Sequence, residues 1–175
     1  MDSTEKAFRD GIQNWLKKYD MPKINLDFSQ DFAFDFETDT LYIGVETFED
    51  VDEYFNEYLE NHGFEWENVP APVLAFLHEL GHANTIHDFN ASQIVFFDFC
   101  KQLANQQDDE KEAMFAYWDV PDEYAANHWL IDFSEENIDA MMELVQVYSE
   151  KWNDMVKTID VSSIAISLQE VYERS

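Results

Sequence analysis

The sequence predicts an α+β fold, mostly helical, with one small three-stranded antiparallel sheet near its N-terminal end. Three observations carry that reading. Apolar residues alternate with a period of two only between residues 24 and 46; a helical period of three to four precedes this stretch and dominates from about residue 50 onward. With 4 Gly and 4 Pro in 175 residues, and no repeat or low-complexity tract, the chain offers few breakpoints and reads as one domain over 1–175. Residues 136–175 are expected to form a helical extension packed on it.

The elements follow in order. Phe8, Ile12, Trp15 and Leu16 mark one buried face of a helix over 3–19. Ile24, Leu26 and Phe28, then Phe32, Phe34 and Phe36, then Leu41, Ile43 and Val45 each alternate with more polar residues, predicting three strands, with the Phe run in the core. Ser29-Gln30 and Thr38-Asp39 are short enough for hairpins, which predicts a meander. Helices are then expected near 50–61, 70–85, 91–105, 120–133, 136–157 and 162–173. Boundary signals include Pro70 and Pro72, the run Asp119-Val120-Pro121-Asp122, and Ser134-Glu135-Glu136 ahead of the long C-terminal helix.

Composition excludes several functions. The chain is 46% hydrophobic and 16% aromatic, which supports a real core. Thirty-eight Asp and Glu against 10 Lys and Arg give a net charge of −28, so the surface repels phosphate backbones and direct nucleic-acid binding is disfavoured. From Ile24 to Cys100 there is no Lys or Arg at all. No stretch approaches the roughly 20 apolar residues of a spanning helix. Cys100 is the only cysteine, which allows no internal disulfide and suits a cytoplasmic protein; a buried thiol is expected there.

The chemistry concentrates in His78-Glu79-Leu80-Gly81-His82. On a helix the two imidazoles, four residues apart, can reach one cation, and Glu79 beside them can act as a base; this is the geometry of a hydrolytic Zn2+ site. Taking His78 as zero on a helical wheel, His82 lies at about 40°, while Val73, Phe76, Leu77, Leu80 and Ala83 spread over roughly 140° to 260°. The histidines therefore turn away from the apolar stripe. His87, five residues after His82, is out of phase to be the third ligand. Glu123 is the better candidate, because a helix there places Glu123, Ala126, Asn127 and Leu130 on one face. Ala126 is small enough to let two helices approach, and Asn127 can orient a metal-binding histidine. Oxyanion donors are open among Tyr124, His87, His62 and Tyr117.

The run Leu74-Ala75-Phe76-Leu77-His78-Glu79-Leu80-Gly81-His82, with a small sheet before it and Glu123-Tyr124-Ala125-Ala126-Asn127 after it, resembles the ImmA/IrrE-type zinc metallopeptidases, which are gluzincin-like. The resemblance covers roughly residues 1–133. It implies a zincin-like fold, zinc held by His78, His82 and Glu123, and Glu79 as the catalytic base. It also implies a protein substrate such as a DNA-binding repressor of a mobile element or stress response. The acidic surroundings independently favour a Lys/Arg-rich substrate segment, which an edge strand such as Leu41–Val45 would pair with. Two other readings stay open: an acidic decoy that occupies the nucleic-acid site of a basic partner, and a non-catalytic zinc-binding regulator.

Overall fold

A computed structural model describes residues 3–45 and 49–156; the helix expected over 162–173 lies outside the described residues. The chain runs through α1 (Ser3–Lys18), β1 (Asn25–Ser29), β2 (Ala33–Asp35), β3 (Thr40–Gly44), α2 (Glu49–Asn61), α3 (Ala71–Thr85), a 3-10 turn (Ile86–Asp88), α4 (Ala91–Ala104), α5 (Glu110–Trp118), α6 (Pro121–Glu136) and α7 (Ile138–Val156). The α+β class, mostly helical with a small sheet near the front, is the one expected.

Helix α3 is the centre of the molecule. Val73, Leu74, Phe76, Leu77 and Leu80 are buried, and the helix meets the sheet, α6 and α7 at once. Around it the aromatic residues of α1 and α7 interlock: Phe8 meets Tyr148 edge-on at 5.1 Å, and Trp15 lies between Phe76 and Phe133 at 6.2 and 5.9 Å. Trp15 also donates its indole N–H to the Ala140 carbonyl at 2.8 Å, so the bulkiest core residue leaves no orphaned donor. Arg9 ties α1 to the sheet through the Leu26 carbonyl and packs over the Phe28 ring.

The sheet corrects the meander expected from the sequence. Its order is β1-β3-β2, with β1 parallel to β3 and β2 antiparallel to β3. Only the second hairpin forms, closed by Asp35, whose carboxylate accepts from the backbone N–H of Glu37 and Thr38. At Ser29-Gln30 the chain does not turn back, because both carbonyls accept the Val45 N–H, at 3.0 and 3.1 Å. It crosses the end of β3 instead and emerges on the far side. Glycine permits the crossing: a Cβ on Gly44 would lie 2.5 Å from the Phe32 nitrogen. Leu41–Val45 is thus the central strand, already paired on both sides, and cannot receive a substrate. The free edge facing the helices belongs to β2, and Phe36, expected in the core, is 48% exposed just beyond it.

Helix boundaries differ at two places. Ser134 was expected to start the last helix but lies inside α6, buried, with its hydroxyl bonded back to the Ile131 carbonyl at 2.7 Å. The break comes at Asn137, whose φ of −127° and ψ of 57° end α6. Helix α5 was not expected at all. Asp109 caps it by accepting from the Glu112 N–H, but Ala113 to Trp118 form a solid apolar-aromatic block without a helical period.

The α3–α6 crossing is tight. A Cβ on Gly81 would sit 2.5 Å from the Ala126 carbonyl oxygen and 2.9 Å from its Cα. Backbone, unlike a side-chain tip, cannot swing aside, so Gly81→Ala is expected to lower unfolding stability by about 1–3 kcal/mol, read by denaturant melts.

Candidate metal centre

The histidine spacing and the α3–α6 crossing together build one cluster. His78 and His82 stand on successive turns of α3, their Nε2 atoms 3.2 Å apart. Glu123, in the first turn of α6, brings Oε2 to 3.0 Å from His78 Nε2 and 3.3 Å from His82 Nε2. These three residues form a group able to hold a metal ion. Ligands at roughly 2.0–2.1 Å from a tetrahedral ion lie about 3.3 Å from one another. The observed edges are already close to that value.

Burial and hydrogen bonding fix the donors. Glu123 is 3% exposed and His78 9%. The histidine pair does turn from the apolar stripe, yet His78 is buried all the same, because α6 covers that face. Asn127, fully buried, lies with Oδ1 2.7 Å from His78 Nδ1. An Nδ1–H donating to that amide oxygen leaves the Nε2 lone pair facing His82 and Glu123, as a metal ligand requires. Phe55 closes the other side, edge-on to the imidazole at 5.6 Å.

Within the cluster the carboxylate favours a protonated imidazole. Burial pulls His78 down, but the Glu123 hydrogen bond and charge, with Glu79 behind, outweigh it and push the imidazole up to about 9. Burial also raises Glu123, and the charges and hydrogen bonds of His82 and His78 reverse this, holding the carboxyl well below its usual range.

One residue at the site was not singled out by sequence. Lys101, on α4, places Nζ 2.6 Å from Glu123 Oε1 and 2.6 Å from Asp122 Oδ2. Nothing in the spacing marks it, beyond its being the first base after the long acidic stretch. Tyr117, one of four open oxyanion donors, is the one that lines the cleft beside Glu79 and Glu123. Burial first, then the Glu123 and Glu79 charges, push its phenol up, so it keeps its proton at neutral pH. Tyr124 is 42% exposed and outside the cleft lining, its ring tilted against His128 at 4.1 Å and edge-on to His62. His87 is exposed in the 3-10 turn, outside the cleft lining. Cys100 is half-buried rather than buried.

The cluster opens into a cleft of about 860 Å³. Its walls include Ala33, Phe34 and Phe36 along the β2 edge, Glu79 on its floor, and Ile94 and Asp98 from α4. Among the described residues, no helix is long and apolar enough to cross a membrane. The chain matches no family model, no curated protein and no solved structure.

Metal and proton compete for His78. Affinity for a divalent transition metal is expected to rise about tenfold per pH unit below the His78 value of about 9 and to level off above it. Without metal the sign reverses. The raised imidazole adds stability that is complete below its ordinary value of 6.5 and is lost as pH climbs through about 9. Chelator-competition titrations and melts across that range check both.

Proposed function

We propose that the chain is a zinc metallopeptidase, with His78, His82 and Glu123 as ligands and Glu79 as the general base. The observation that carries this reading is the triangle of Nε2, Nε2 and Oε2 atoms, with edges of 3.2, 3.0 and 3.3 Å, on the floor of an open cleft next to a free carboxylate-bearing residue of the same helix. Two imidazoles and one carboxylate suit zinc better than magnesium or calcium, which take oxygen donors. When bound, zinc in a three-ligand site supplies Lewis acidity and brings the pKa of an activated water down toward about 7.

The chain's own groups divide the rest of the work. Glu79 takes the proton from the attacking water and returns it to the departing amine as the peptide C–N bond breaks. Tyr117, protonated and lining the cleft beside Glu123, is our candidate donor to the oxygen that gains charge. The free edge of β2 can pair with an extended peptide, holding the scissile bond over Glu79, while Phe34 and Phe36 offer apolar contact. Five carboxylate residues, Asp31, Glu79, Asp98, Asp122 and Glu123, line the cleft against one lysine, which favours a Lys/Arg-rich substrate segment. The resemblance to ImmA/IrrE-type peptidases, whose His-Glu-x-x-His helix and later Glu-x-x-Ala-Asn motif match residues 78–82 and 123–127, supports the same assignment and points to a basic repressor as substrate.

The test pairs metal analysis with one substitution. Purified protein is expected to carry one zinc per chain and to cleave Lys/Arg-rich protein substrates. Glu79→Gln is expected to retain that zinc while cleavage falls at least ~100-fold, the lower range of a lost general base. A Glu79→Gln protein as active as the parent overturns the peptidase assignment. A chain that binds a basic partner equally well with and without chelator, and cleaves nothing, is the acidic decoy instead.

A further inference from the structure

We propose that Lys101 is a positioning residue of the metal centre: by occupying Glu123 Oε1 it leaves Oε2 as the one carboxylate oxygen turned toward His78 and His82. This inference rests on the metal-binding part of the reading above and on the contacts of the two Glu123 oxygens. They are not equivalent. Oε2 lies 3.0 and 3.3 Å from the two imidazole nitrogens, and Oε1 lies 2.6 Å from the Lys101 ammonium.

A carboxylate has two acceptor oxygens, and its terminal torsion is soft. Left to itself in a buried site, it can offer a cation either oxygen or both. Lys101 removes that freedom, since a charge-assisted bond to Oε1 has to break before Oε1 can turn. The lysine is itself held. Asp122 Oδ2 accepts from Nζ at 2.6 Å, the Tyr117 ring lies 5.5 Å beneath it, and its side chain is only 16% exposed. Both anchoring carboxylates come from consecutive residues of α6, whereas Lys101 comes from α4, so the clamp is tertiary and is delivered by the chain between His82 and Glu123.

A bystander cation makes the opposite prediction. By Coulomb's law, a lysine this near a divalent ion weakens the ion's binding and leaves ligand geometry alone. Its removal would then tighten binding without altering coordination. Removal of a positioning cation frees Oε1 to join the metal and raises the coordination number.

Cobalt(II) reads that number, because its visible d–d absorption weakens as ligands are added. In full-length protein loaded with one cobalt per chain, Lys101→Met is expected to lose at least about half of the wild-type band intensity. An unchanged band, with or without tighter metal binding, overturns the inference alone. Wild-type protein that takes up no cobalt or zinc overturns it together with the metal-centre reading. Should Lys101→Met fail to fold, a crystal structure of the zinc-loaded wild type decides. One Glu123 oxygen on the metal with the other on Nζ supports the assignment; both oxygens on the metal, or Nζ withdrawn from Glu123, overturns it.

Discussion

The close approach of α3 and α6 at Gly81 and Ala126 is the constraint on which the rest of the site depends. The contact has a symmetry that the sequence numbers make plain. His78 and His82 lie three residues before and one after Gly81, and Glu123 and Asn127 lie three before and one after Ala126. On each helix those two positions share the face that carries the contact. Where backbone touches backbone, the two pairs are brought face to face. Three of the four groups then point their Nε2 and Oε2 atoms at one spot, and the fourth braces His78 from behind. A larger residue at either contact would part the helices, and the imidazole–carboxylate distances would open with them.

Such a cluster is a poor device for stability. Burying His78, Glu123 and Asp122 strips them of water, and their mutual attraction returns that cost only when every partner is in place. A well-packed apolar layer between α3 and α6 would hold them together at least as well. The chain instead keeps a carboxylate at 3% exposure in the middle of a helix pair, within a protein of net charge −28, and supplies a half-buried lysine to balance it. Ionisable groups pushed strongly in opposite directions by their surroundings, set on the floor of a cleft, mark a candidate for binding or chemistry, and that is the ground of the reading proposed above.

Much of this was legible from residue spacing because spacing is local. The period-two and helical patterns placed the strands and most helices, and the i,i+4 rule put both histidines on one face. Glu123, Ala126 and Asn127 followed from the same rule applied to a second helix. What sequence could not show was order in space. Whether β3 sits at the edge or the centre is decided by the crossing over Gly44, and hairpin-length connectors suggest the opposite. Helix α5 escaped because contiguous apolar residues, from Ala113 to Trp118, have no period: one side packs on α2 and the other faces the cleft. Lys101 reaches Glu123 only through tertiary packing of α4, which no spacing rule encodes.

The altered strand order changes what a substrate would meet. In a meander, the strand after the second hairpin would offer its edge. In the observed sheet that strand is enclosed, and the short β2 stands between it and the cleft. Ala33–Asp35 spans three residues, so it can fix the direction and register of an extended chain but offers few main-chain hydrogen bonds. On the proposed reading, selectivity falls to the walls. Those walls pair half-buried Phe34 and exposed Phe36 with carboxylates from the β1–β2 crossing and α4, Asp31 and Asp98. On the peptidase reading proposed above, an extended segment with an apolar side chain flanked by basic residues matches both features. The same crossing over Gly44 that reorders the sheet carries Asp31 into the cleft, so strand order and the acidic character of that wall trace to one glycine.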